Sequence, residues 1–153
     1  MTPDAFYDED FRVLTPEAFD FVLSNELKRA MRSQNFLTLV LMEATPEENG
    51  EATDDPVRHI ARIVGNEVRE TDLLTRTDDG VAVVLLDADL SNSMRVIDRL
   101  MTRFEHYEFP RPLSITVGAA SCPTHGTDVD SLRRAAAARP VVSRRARRRA
   151  SNA

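Results

Sequence analysis

Residues 69–86, RETDLLTRTDDGVAVVLL, constrain this chain more than any other stretch. Residues 81–86 form an unbroken apolar run, which reads as a strand buried on both faces of a sheet. The Asp79-Gly80 pair before it is a strong two-residue hairpin signal, since a type I′ turn needs positive φ at both central positions. Residues 72–76 supply the partner strand. A strand buried on both faces needs an apolar layer above and below it.

Helical stripes answer that demand. Thr15-Pro16 reads as an N-cap followed by proline at the first helical position, and Phe19, Val22, Leu23, Leu27 and Ala30 recur at helical spacing, so a helix is expected over 16–33. Asp55-Pro56 repeats the signal, with Val57, Ile60, Ala61, Val64 and Val68 as the apolar stripe. This helix is expected to end near Glu70, with Arg69 in its last turn, where the helix dipole favours a cation. A third helix is expected over 91–106, burying Leu90, Met94, Ile97, Met101 and Phe104, with Arg95, Arg99 and Arg103 on another face. Asp128 caps a last helix over 129–138, which Pro140 ends. Residues 36–42 (FLTLVLM) and 113–120 (LSITVGAA) read as strands, the first running into Glu43, and Pro110 and Pro112 break the chain before the second. The expected class is α/β, a mixed central sheet with helices packed on its faces.

At 153 residues, with 42% hydrophobic and 29% charged residues, the chain fits one globular domain. Residues 1–14 read as a lead-in, 15–139 as the domain and 140–153 as an Arg-rich tail. No apolar run approaches the ~20 residues that span a bilayer, and the acidic start lacks a signal peptide's basic and apolar regions, so a cytoplasmic location is expected. Cys122 is the single cysteine, which excludes a disulfide framework within the chain and a thiolate zinc cluster. It lies in a Pro-Gly turn with no evident activating base, against a catalytic thiolate. His59, His106 and His125 lack metal-ligand spacing.

The net charge of −5 hides an asymmetry. Residues 1–138 carry −11, while residues 139–153 hold six arginines and no acid. The body repels nucleic acid. The run at 144–149 (RRARRR) has no interleaved aromatics on which bases could stack, so it reads as a solvated tail rather than a nucleic-acid site.

The hairpin and its flanks resemble the GGDEF family of diguanylate cyclases. There R-x-x-D is followed by five residues, then G-G-D/E-E-F and an apolar strand. Arg69 and Asp72 fit R-x-x-D, residues 73–77 supply the five, and Asp78, Asp79, Gly80, Val81 and Ala82 fall on the G-G-D/E-E-F positions. Thr116-Val117-Gly118-Ala119-Ala120 resembles another strand of the family. The resemblance covers about residues 10–144 and implies the family's nucleotidyl cyclase-like fold.

It also implies which sites persist. Joining two GTP molecules needs magnesium held by hard carboxylate oxygens, which the family draws from a strand-end Asp and the third residue of G-G-D/E-E-F. Here Glu43 takes the first position and Gly80 the third, Val81 replaces the next acid, and Asp78 and Asp79 bring negative charge where the family's glycines admit phosphate. Guanine-binding N-D-x-x-G-H is absent from the loop that contains Gly50. The resemblance therefore implies no catalytic residue, no cofactor and no cyclase activity. Glu43, Asp78 and Asp79 are vestigial metal candidates, and Mg²⁺ would matter only to residual activity.

The family's R-x-x-D is an inhibitory site for cyclic di-GMP, often completed by an arginine of the following helix. With one residue deleted between the hairpin strand and that helix, Arg99 falls on that position, with Arg95 one turn earlier. An arginine fork suits phosphate or guanine O6 and N7, and Asp can accept from guanine N1 and N2. The expectation is a cyclic di-GMP receptor using Arg69, Asp72, Arg99 and Arg95, acting through a protein partner or a homodimer. The alternatives are an interaction module that has lost both nucleotide sites, and a residual diguanylate cyclase using Glu43 with Asp78 or Asp79.

Overall fold

The computed structural model describes residues 12–46, 55–109 and 112–146. Residues 1–11 of the lead-in, the acidic stretch 47–54 with Gly50, Pro110 with Arg111, and residues 147–153 of the Arg-rich tail lie outside them.

The element order is α1 (Pro16–Ser33), β1 (Leu37–Pro46), α2 (Pro56–Glu67), β2 (Leu73–Arg76), β3 (Gly80–Leu86), α3 (Leu90–His106), β4 (Leu113–Cys122), α4 (Val129–Ala138) and β5 (Pro140–Ala146). The strands form one sheet in the order β2-β3-β1-β4-β5. Every pairing between these strands is antiparallel. A single parallel bridge joins Leu14 to Thr75 at the β2 edge.

The apolar run in β3 behaves as its pattern requires. Val81, Val83 and Leu85 face one core with Val40, Met42, Ile60, Val64, Ile97 and Phe104. Ala82 and Val84 face the other with Phe19, Leu23, Leu27, Leu39 and Leu132. Thus α2 and α3 cover one side of the sheet, and α1 and α4 the other. Thr15 caps α1 by accepting from the Ala18 amide, Asp55 caps α2 through the Val57 amide, and Asp128 forms a reciprocal capping box with Ser131 on α4.

Four local features depart from the sequence pattern, each for a tertiary reason. First, β1 continues past Glu43 to Pro46, because β4 offers partners as far as Leu113. Second, the hairpin turns on Asp78 and Asp79, since Arg76 pairs with Val81 and the Thr77 amide donates to the Gly80 carbonyl at 2.9 Å. Neither aspartate has positive φ, so this is no type I′ turn. Gly80 instead starts β3, where a Cβ would stand 1.7 Å from the Met42 carbonyl oxygen. Third, α2 ends at Glu67 and its cap Val68 is extended, with ψ 162°. Arg69 therefore lies in the turn after the helix rather than in its last turn. Fourth, residues 140–146, assigned above to the tail, form β5 at the sheet edge, with Arg144 opposite Ile115 and Arg145 opposite Ser114. Among the described residues no helix is long and apolar enough to cross a membrane.

Candidate functional site

The turn between α2 and β2 is built around a buried carboxylate. Asp72 is 3% exposed. Its Oδ2 accepts from the Arg69 amide and its Oδ1 from the Leu86 amide, each at 3.0 Å. The Asp72 amide in turn donates to the Arg69 carbonyl at 2.9 Å. One side chain thus ties the R-x-x-D turn to the end of β3, which desolvated peptide groups require.

Arg69 leans out of this turn. Its Nε lies 3.6 Å from Asp72 Oδ2, and its guanidinium donates to the Leu86 carbonyl, while 63% of the side chain is exposed. Arg99 approaches from α3. Its Nε is 3.1 Å from Glu67 Oε2 and its side chain is 53% exposed; the other oxygen of Glu67 takes Arg103 Nε at 2.6 Å. Arg69, Asp72 and Arg99 line one cleft of ≈ 340 Å³ together with Glu67, Val68, Leu85, Asp87, Ala88, Asn92 and Val96. Three residues singled out by the resemblance are thereby brought together. Arg95 is exposed on α3 and is not among the lining residues.

Sequence reasoning missed Arg12. Its guanidinium donates to the carbonyls of Arg69, Glu70 and Asp72, the last at 3.2 Å, and so braces the turn from the segment before α1. The same segment is fixed to β2 by the Leu14 amide on the Leu74 carbonyl (2.8 Å) and the Thr75 hydroxyl on the Leu14 carbonyl (2.9 Å). Nothing local in the sequence marks Arg12, because its partners are backbone carbonyls about 60 residues away. Glu67, the carboxylate between Arg99 and Arg103, was equally silent.

The vestigial metal candidates sit elsewhere. Glu43 is exposed on β1, opposite Gly80 on β3 and Thr116 on β4. Asp78 and Asp79 are exposed at the hairpin tip, and the Asp79 carbonyl accepts from the Ala44 amide at 2.8 Å. No group of three His, Cys, Asp or Glu side chains suited to a metal occurs among the described residues. The position from which the resemblance would draw a second carboxylate is closed by the Met42 carbonyl. A magnesium ion at this place would draw no ligand from position 80.

The cysteine, the three histidines and the α4 cap have local surroundings of their own. Burial pushes the Cys122 thiol above its ordinary pKa, which suppresses the thiolate. His125 is lowered, first by burial and then by the charge of Arg139, and its Nδ1 accepts from the Ser121 amide at 2.9 Å. Asp128 is lowered by the Ser131 backbone and hydroxyl hydrogen bonds of its capping box. His59 Nδ1 meets the Tyr107 hydroxyl, and His106 Nδ1 lies 2.8 Å from the Thr102 carbonyl.

A five-stranded antiparallel sheet with a helix pair on each face matches solved GGDEF domains. The GGDEF domain of YfiN (also TpbB) from Pseudomonas aeruginosa is 22% identical, with a TM-score of 0.72 over 86% of this chain and 84% of that one. The GGDEF domain of DgcB from Caulobacter crescentus, solved in complex with c-di-GMP, is 16% identical, with a TM-score of 0.74 over 90% and 89%. The active GGEEF domain of a diguanylate cyclase from Vibrio cholerae is 12% identical, with a TM-score of 0.69 over 80% and 85%. The fold is GGDEF-like. No protein-family model and no curated protein matches the sequence.

Proposed function

We propose that this chain is a cyclase-inactive GGDEF-fold domain of the cytoplasm that binds cyclic di-GMP in the cleft between the α2–β2 turn and α3. The observation that carries the reading is the convergence of Arg69 and Arg99 on that cleft, each with more than half of its side chain exposed. Two guanidinium forks can grip a phosphodiester bidentately or face guanine O6 and N7. The cleft volume, ≈ 340 Å³, falls in the ~300–1,000 Å³ range of small-molecule sites. Catalytic silence is supported by Gly80 and Val81 in the acidic positions, and by the Met42 carbonyl, which leaves Gly80 no room for a side chain. The output is a contact with a protein partner or a second copy of the chain.

The test is calorimetry with cyclic di-GMP. The wild type binds at micromolar concentration or tighter, and Arg69→Ala and Arg99→Ala each weaken binding by about tenfold or more, the scale of a lost charge-assisted hydrogen bond. No binding by the wild type overturns the receptor reading. Cyclic di-GMP made from GTP and Mg²⁺ overturns the inactive one.

A second reading is favoured by Asp72. Because both its oxygens hold backbone amides, the fold alone accounts for an aspartate there, and the domain would then be an interaction module with no nucleotide site. The same calorimetry separates the two.

A further inference from the structure

A cleft that selects cyclic di-GMP needs an acceptor for guanine N1–H and the N2 amino group. Asp72 is poorly placed to be that acceptor. It is 3% exposed, and its two oxygens already accept from the amides of Arg69 and Leu86.

The cleft holds a second aspartate. Asp87 follows β3 in the turn leading to α3, lines the cleft and is exposed. Among the described residues it makes no hydrogen bond and no ion pair. Its φ is 55°, a left-handed conformation shared, among the described non-glycine residues, only with Gln34. Gln34 has a structural reason for it, since it closes α1 with its amide on the Ala30 carbonyl. The duties of the Asp87 turn fall on its neighbours: the Ala88 carbonyl accepts from the Thr38 hydroxyl at 2.9 Å, and Asp89 caps α3 through the Asn92 amide. The Asp87 carboxylate is left with no structural task. Left-handed residues that are neither glycine nor helix caps concentrate at functional sites. Arg69 is close by, because its guanidinium donates to the carbonyl of Leu86, the preceding residue.

Resting on the cyclic di-GMP reading above, we infer that Asp87 is the residue of this cleft that selects guanine, and that Asp72 only positions the turn. Arg69 supplies donors for O6 and N7, and Asp87 the acceptor for N1–H and the N2 amino group. Arg99 faces phosphate. Adenine presents a lone pair at N1 and a donor at N6, so a carboxylate facing that edge opposes it. The cleft therefore discriminates between cyclic dinucleotides through Asp87 and holds their shared phosphates through arginine.

The experiment compares cyclic di-GMP with cyclic di-AMP by calorimetry on the full chain, for the wild type, Asp87→Asn and Asp87→Ala. Asparagine tolerates the left-handed conformation, so Asp87→Asn keeps the fold; an unchanged melting temperature checks this. The wild type prefers cyclic di-GMP by about tenfold or more. Asp87→Asn and Asp87→Ala weaken cyclic di-GMP by about tenfold to a hundredfold, the range for a mispaired base edge, and leave cyclic di-AMP unchanged or slightly tighter. Wild-type affinity for cyclic di-GMP in both variants, or equal weakening of both ligands, overturns the assignment while the receptor reading stands. A wild type that binds neither ligand overturns the receptor reading and this assignment with it.

Discussion

Asp72 and Gly80 show how a residue can be legible in sequence while its work is not. The spacing of Asp72 to Arg69 and to the hairpin can be read directly, and the resemblance makes it a ligand residue. Its actual partners are two peptide amides, one of them 14 residues away. Removing the carboxylate leaves both amides desolvated without acceptors, at about 1–3 kcal/mol for such a group. Asp72→Ala should therefore destabilise the protein by about 2–4 kcal/mol in urea unfolding, with Asp72→Asn between it and the wild type. A cost below about 1 kcal/mol would mean that water reaches the turn and that the aspartate is free for other work. Gly80 carries a stronger constraint. Any side chain at that position meets the Met42 carbonyl at 1.7 Å, and backbone in the middle of a sheet cannot step aside cheaply. Gly80→Ala should cost about 3 kcal/mol or more, or prevent folding. Gly80→Asp, which would restore a family carboxylate, should fare no better and yield no cyclase. Near wild-type stability of Gly80→Ala would show that β1 and β3 can part there, and would reopen the metal site.

At the scale of elements, the caps of α1, α2 and α4 and the apolar stripes of α1 and α2 were legible because N-caps and 3.6-residue periodicity are local signals. The class of the fold followed from them and from β3. What failed to show were features held by distant partners. β1 outruns its apolar stretch because β4 continues to pair with it, and β5 is a strand by virtue of lying against β4. A short edge strand of mixed apolar and charged residues has little pattern of its own. The turn between β4 and α4 carries a pH dependence of the same non-local kind. His125 Nδ1 accepts from the Ser121 amide, and the His125 amide donates back to the Ser121 carbonyl at 2.7 Å. Ser121 hydrogen-bonds Thr38, 83 residues away, at 2.7 Å. A protonated ring cannot accept that amide. Because the folded pKa of His125 lies below its ordinary value, the unfolded chain takes up the proton first as pH falls. The contribution is complete above about pH 6.5 and is lost as pH drops toward the lowered folded value. The melting temperature should be lower at about pH 5.5 than at about pH 7.5. His125→Gln, which leaves His59, His106 and the carboxylates in place, should narrow that difference. An unchanged difference would assign the dependence to other groups.

For the whole molecule, the cleft lies where separate parts of the fold meet. It draws Glu67 from the end of α2, its cap Val68, Arg69 and Asp72 from the α2–β2 turn, Asp87 and Ala88 from the turn after β3, and Asn92, Val96 and Arg99 from α3. Arg12 braces the same turn from the segment before α1. These elements share the larger apolar core, with Val64, Leu85 and Ile97 all buried in it. Opening the cleft therefore means parting α2 from α3 and from the end of β3, and little of that core would survive. A ligand that occupies the cleft should then stabilise the whole domain rather than one loop. At a free concentration of ~100 times its Kd, cyclic di-GMP adds about 2.7 kcal/mol to the folded state. For a chain of this size each kcal/mol raises the melting temperature by ~2–4 °C, so the expected upward shift is about 5–10 °C. Arg69→Ala, binding about tenfold more weakly, should cut the shift to about half or less at the same ligand concentration. Calorimetric binding without a thermal shift would mean that the ligand occupies a part of the chain that opens before the core melts. The cleft between α2 and α3 would then not be its seat.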